Sequence, residues 1–276
     1  SKVRDTIQRK KENEKMEKKT DDRQKEIESK AVFWDFHGTL AYPKHLWGES
    51  VFAAARIACA PLSPPFSPAD VKEYTKAGWY PWDRYEEDFS RTTGEKWWEF
   101  MCGHFCRIYK SLGLSEDAAN RASLLVRDEL TKAERYELYP DAIPALRECR
   151  SLGWKNVLLS NHLPELPRIL EALGCREYFS ALVISSLAGY DKPRREIFEI
   201  AGKEAGDPAL CVMVGDNPAA DIAGAAEAGM CTILVHNSSR VCGRQPDFRA
   251  ENLTEIGGIL QKILSSAEKS LPSTDD

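Results

Sequence analysis

Five short runs of apolar residues, Ala31 to Trp34, Val157 to Leu159, Ala181 to Ile184, Cys211 to Val214 and Cys231 to Val235, interrupt a chain otherwise rich in polar positions. None alternates apolar with polar residues, so each predicts a strand buried on both faces, as in a parallel sheet. Between them, stretches near residues 141–152, 164–173, 194–205 and 218–228 carry helical spacing. The alternation predicts a doubly wound α/β fold, in which ligands bind beyond the carboxyl ends of the strands. Asp35, Ser160 and Asp216 all fall on that edge.

The region from about 44 to 136 breaks the alternation and reads as wholly helical, with Trp47, Trp79, Trp82, Trp97 and Trp98 among many aromatics. A helical insert beside a catalytic edge can exclude water, although amphipathic packing alone accounts for most of these rings. The predicted organisation is a charged arm over 1–30, an α/β core over 31–43 and 137–250, the helical insert, and a C-terminal helix and tail over 251–276.

Charge changes the picture at one end only. Residues 1–30 hold eleven Lys/Arg and eight Asp/Glu, a balance of +3 within a chain of net charge -5, so the remainder carries -8. With few apolar residues the arm reads as solvated and partly helical, a candidate protein contact. Its mixed charge argues against a nucleic-acid clamp. No apolar run approaches the roughly 20 residues that cross a bilayer, and the charged N-terminus does not read as a secretory signal, so a cytoplasmic location without membrane contact is expected. The eight cysteines are scattered with no Cys-x-x-Cys pair, which predicts buried free thiols, Cys102 and Cys106 included.

The polar signals that follow the apolar runs divide a chemical task. Asp35, in Asp35-Phe36-His37-Gly38-Thr39-Leu40, is a strand-end carboxylate that could attack phosphorus. Ser160 and Asn161 offer a hydroxyl and turn amides to phosphoryl oxygens, and Lys192 supplies a positive charge. Asp216 can coordinate a cation, and Asp221, one turn later, can steady the metal's waters or Lys192. Carboxylates around a phosphoryl group repel it unless a cation bridges them, and hard oxygen donors favour Mg²⁺.

This ordered set resembles the haloacid dehalogenase superfamily of phosphohydrolases over about residues 31–240, with the helical insert typical of the C1-capped subgroup. The resemblance implies a Rossmann-like core and hydrolysis of a small phosphorylated metabolite through an aspartyl-phosphate. Asp35 would be nucleophile and metal ligand, His37 would lend a backbone carbonyl to the metal, and Asp216 and Asp221 would complete the acidic set. Ser160 and Lys192 would hold the phosphoryl group, with Thr39 supporting the turn after the nucleophile and counted, with Asn161, among the substrate-binding positions. His37 stands where the family's phosphatases carry a second aspartate, the acid and base of the reaction. An imidazole can shuttle protons, yet the replacement also admits a catalytically impaired binding protein or a phosphotransferase. His162 could point into the cleft or merely precede a helix, and His45 and His104 read as packing residues.

Overall fold

Six parallel strands lie in the order β3-β2-β1-β4-β5-β6, with β1 at Lys30–Trp34, β2 at Lys155–Ser160, β3 at Ala181–Ile184, β4 at Leu210–Gly215, β5 at Cys231–Val235 and β6 at Phe248–Ala250. The computed structural model describes residues 29–42, 46–76, 92–236 and 243–269. The expected arm, apart from its last two residues, lies outside these, as do His45, Cys242 and the insert's Trp79, Tyr80, Trp82, Tyr85 and Phe89.

Alternate residues of each strand feed opposite faces of the sheet. Val32, Trp34, Leu158, Val212 and Val214 belong to one buried cluster, with Ala145 and Leu146 of α5 (Ala142–Ser151), Ile169 of α6 (Leu166–Ala172) and Ile256 and Leu260 of α8 (Ile256–Lys269). Ala31, Phe33, Val157, Leu159 and Met213 face the other way, against Ile197, Phe198 and Ala201 of α7 (Arg195–Glu204). The first cluster runs on through Phe36 and Leu40 into α1 (Leu46–Cys59), α3 (Glu95–Ser111) and α4 (Glu116–Leu130), while α2 (Pro68–Lys76) packs on α1.

The expected strands are all present, and two features were not foreseen. Strand β6 is only three residues long, too short for a periodic signal. The helix expected over 218–228 is a π-helical segment, Pro218–Ala223, followed by a short α-helix, Gly224–Glu227. Among the described residues seven cysteines are free, but only Cys149 and Cys175 are fully buried. Cys102 and Cys106 sit half-buried at the seam of α3 and α4, where their thiols donate to the Ser123 carbonyl and the Asn120 side chain.

Strand β2 begins two residues earlier than its apolar run, and that extension buries Asn156. Its side-chain carbonyl accepts from Trp34 Nε1 at 2.9 Å, and its amide donates to the carbonyls of Leu146 at 2.9 Å and Tyr178 at 3.3 Å. A polar residue is thus fully satisfied inside the sheet, tying β1 to β2 and α5. Replacing it by leucine removes all three hydrogen bonds and leaves the Trp34 indole N–H without its partner in the core. Asn156→Leu is expected to lower unfolding free energy by about 2–3 kcal/mol, read by urea denaturation; a loss near zero shows that water fills the gap.

Candidate active site

The carboxyl ends of β1 and β4 meet where the winding of the sheet reverses, the place at which a doubly wound sheet opens a crevice. Trp34 pairs with Leu158 on one side and Val214 on the other, so the residues that follow these three positions arrive together. The Asp35 amide continues the ladder, donating to the Val214 carbonyl at 3.0 Å. Directly afterwards the chain folds back in a tight turn, with the amides of Leu40 and Ala41 both donating to the Phe36 carbonyl at 2.9 Å. Gly38 makes that turn possible on two counts: its φ is +96°, and a Cβ there would stand 2.7 Å from the Asp216 carboxylate.

Asp35 is 7 % exposed and tightly held. Its Oδ1 accepts from Ser160 Oγ at 3.0 Å and from Lys192 Nζ at 2.8 Å. The same ammonium donates to Asp221 Oδ1 at 2.6 Å and to the Leu159 carbonyl at 2.9 Å. Burial alone would drive Lys192 toward neutrality, but the adjacent charges of Asp221 and Asp35 outweigh it and hold its pKa above the ordinary lysine value. Burial likewise pushes the Asp221 carboxyl up to about 6, with Lys192 opposing and Asp35 adding to the rise.

Two expected substrate-binding positions, Asn161 and Thr39, make contacts within the protein. The Asn161 side chain donates to the Lys192 carbonyl at 2.9 Å and accepts from the Lys192 amide at 2.8 Å, so it reads the backbone of the lysine loop. Thr39, fully buried, stands between the Asp35 and Asp216 carboxylates at 3.5 and 3.4 Å. Asp221 has both oxygens engaged, Oδ1 by Lys192 and Oδ2 by the Asn217 amide at 2.9 Å. Its geometry is that of a counterion for Lys192. Even so, one carboxylate oxygen each from Asp35, Asp216 and Asp221 lies within 4.8 Å of the others, an all-oxygen cluster able to hold a hard cation.

His37 and His162 stand together beside this cluster, ring centroids 6.3 Å apart. Burial depresses the pKa of both: that of His37 against the pull of Asp35, that of His162 to about 3 with His37 contributing. The loop that carries His162 is clamped from the helical insert. Glu165 accepts from Trp98 Nε1 at 3.1 Å and from Arg127 at 2.7 Å, while Arg127 also grips Glu95 at 2.8 Å. Neither Glu165 nor His236 was expected from sequence. His236 follows β5 directly, the same strand-end position as Asp35, and that was the available signal. Its Nε2 donates to the Thr39 carbonyl at 2.9 Å and its ring stacks on Tyr139 at 4.1 Å, bracing the turn. His104 lies on α3, remote in sequence from the catalytic edge, and its Nδ1 contacts Arg107 Nη2 on the same helix at 3.3 Å.

The haloacid dehalogenase-like hydrolase family matches residues 29–229, most of the chain. The chain belongs to that family. Phosphoserine phosphatase of Thermus thermophilus is 36% identical over 143 residues, which cover 50% of this chain and 57% of that relative, so the chain spans little more than half of its length. Haloacid dehalogenase-like hydrolase domain-containing protein 3 of Homo sapiens is 28% identical over 213 residues, covering 76% of this chain and 82% of the human protein. The putative HAD-hydrolase YfnB from Bacillus subtilis, solved bound to magnesium, superposes with a TM-score of 0.67 at 18% identity over 84% of this chain and 99% of its own. That likeness establishes the family fold. Among the described residues no helix is long and apolar enough to cross a membrane.

Asp221 and His162 impose opposite pH dependences on the metal-free protein. The folded pKa of Asp221, about 6, lies above its ordinary 3.8, so its contribution to stability is present at low pH and lost as pH rises through about 6. That of His162, about 3, lies below 6.5, so its contribution is present above pH 6.5 and lost as pH falls toward 3. In EDTA, Asp221→Asn should therefore show unfolding free energy climbing more steeply with pH between about 4 and 6 than in the parent. Denaturant titrations at both ends of that window check it; parallel profiles mean that the folded Asp221 is ionised throughout.

Proposed function

We propose that this protein is a Mg²⁺-dependent phosphatase that hydrolyses a small phosphorylated metabolite through an aspartyl-phosphate on Asp35. The observation that carries the reading is the grip on that carboxylate: Ser160 and Lys192 both hold Oδ1, at 3.0 and 2.8 Å, while Oδ2, touched by Thr39 Oγ1 at 3.5 Å, is the oxygen we assign to meet phosphorus. The phosphatase names of two relatives, the phosphoserine phosphatase above and the glyceraldehyde 3-phosphate phosphatase of Methanopyrus kandleri, 29% identical over 168 residues, support the substrate class.

The acidic cluster suits a magnesium ion, since Asp35, Asp216 and Asp221 bring three carboxylates within 4.8 Å of one another and every donor is a hard oxygen. Asp35, Asp216 and the His37 carbonyl are the groups we assign to it. When bound, the ion neutralises charge on the phosphoryl oxygens. In our reading Asp35 forms a bond to phosphorus as the ester bond to the leaving oxygen breaks, while Lys192 and the Ser160 hydroxyl steady the charge that shifts onto the phosphoryl group. Water then attacks phosphorus, its proton passes to His37, and the phosphorus–oxygen bond to Asp35 breaks to free phosphate. Helices α1 to α4 serve as a C1-type cap that closes over the cleft, tied to the core through Arg127, Trp98 and Glu165.

The depressed pKa of His37 bears on the two half-reactions unequally. A neutral imidazole suits proton removal from water, but it is poorly suited to protonating a leaving alkoxide. Esters with good leaving groups are therefore the better substrates. The same burial favours, as a second reading, a relative that retains its phosphate or passes it to another acceptor.

Asp35→Asn is expected to abolish hydrolysis of para-nitrophenyl phosphate while leaving the melting temperature within a few degrees, and EDTA should silence the parent until Mg²⁺ is restored. Substantial activity in the purified variant removes Asp35 from the mechanism. His37→Asp should raise turnover of alkyl phosphates by about 10² or more, with a smaller gain for aryl phosphates, because acid assistance of that order matters only for poor leaving groups. An equal fall with both classes marks histidine as the adapted catalyst, and two inert proteins that still bind phosphate favour the second reading.

A further inference from the structure

His37 and His162 reach the cleft from different strands, each two residues beyond a group that holds or supplies the reacting carboxylate, Asp35 in one case and Ser160 in the other. The His162 ring is boxed by Phe36, edge-on at 5.5 Å, and Tyr136, at 5.8 Å, and its backbone amide is fixed by the Ser185 hydroxyl at 3.3 Å. A leucine or phenylalanine would fill that box with no polar atom to accommodate. Instead, His162 Nδ1 and His37 Nε2 are both buried with no hydrogen-bond partner among the described residues. An orphaned buried nitrogen forfeits its hydration, so two on neighbouring rings, at the mouth of a catalytic carboxylate, are the mark of groups that complete their bonding to a ligand.

The chemistry of that ligand follows from the walls. A neutral imidazole offers one donor and one acceptor, and a hydroxyl group offers the same in return. Among the described residues, the influences on the pair besides burial are Asp35 acting on His37, and His37 and the Leu163 backbone acting on His162; no lysine or arginine acts on either ring. A carboxylate lodged between the rings would give up its hydration with no lysine or arginine acting on either ring to receive it. An uncharged, hydroxyl-bearing chain would satisfy both nitrogens and pack its carbons on Phe36 and Tyr136.

We propose that His162 is a specificity-determining residue, and that with His37 it forms a paired imidazole wall receiving the hydroxylated, uncharged leaving group of a polyol or sugar phosphate. The proposal rests on the phosphatase reading for the orientation of the ester, but not for its test.

The test compares near-isosteric probes, glycerol 3-phosphate and 3-phosphoglycerate, with inorganic phosphate as reference, by calorimetry on Asp35→Asn protein in Mg²⁺. Glycerol 3-phosphate is expected to bind about tenfold more tightly than 3-phosphoglycerate, the margin of one good neutral hydrogen bond. Adding His162→Leu should reduce that margin to about twofold or less, and His162→Gln, which keeps a donor and an acceptor, should retain most of it. The absence of a margin in the Asp35→Asn protein overturns the proposal whether or not the double variants fold. So does a margin that survives His162→Leu, or a loss in which inorganic phosphate falls by the same factor. Turnover by the unmodified enzyme separates the two claims: hydrolysis without a margin sinks the specificity assignment and leaves the phosphatase reading standing, and a margin without hydrolysis does the reverse.

Discussion

One lysine ammonium, 1 % exposed and lying 2.8 Å from Asp35 and 2.6 Å from Asp221, sets the terms on which the rest of the site can exist. A lone charge at that depth would be untenable, and so would two carboxylates without it, so the three must fold as a unit. Their carriers are distant in sequence: the end of β1, the loop before α7 and the π-helical segment after β4. The surrounding details serve that unit. Asn161 pins the lysine's backbone from both sides, and the Leu159 carbonyl takes a third hydrogen of the ammonium. Gly215 leaves room for the Asp221 carboxylate, where any side chain would collide with it.

The turn after Asp35 is the second constraint. It must place Thr39 between two acids while keeping Gly38 against Asp216, and it is braced from outside by His236 on the Thr39 carbonyl. The segment returning from the insert joins the same structure, since the Tyr139 amide donates to the Leu40 carbonyl at 3.0 Å and the Tyr42 amide to the Glu137 carbonyl at 2.7 Å. The two crossings between core and insert are thereby bonded to the catalytic turn. Motion of the helices α1 to α4 would be felt there and, through Glu165, at the loop bearing His162.

The amino-acid sequence by itself determined the sheet and the acidic edge. Doubly apolar strands have one stable home, the middle of a parallel sheet, and the polar residues that end them must then emerge along one line. Asp35, Ser160 and Asp216 were legible as residues of that edge for that reason, whereas Lys192, eight residues beyond β3, reaches it through its loop. What only the tertiary structure decided was how each of these groups is employed, because hydrogen-bond partners 29 to 122 residues apart leave no periodic trace. Asn161 proved to hold the Lys192 loop, Asp221 to neutralise the ammonium, and Asn156 to satisfy Trp34 within the sheet. The burial of His37 and His162 belongs to the same class: whether an imidazole is a proton carrier or a neutral wall depends on the desolvation that neighbours impose, and those neighbours, Phe36 and Tyr136, come together only when the insert folds onto the core.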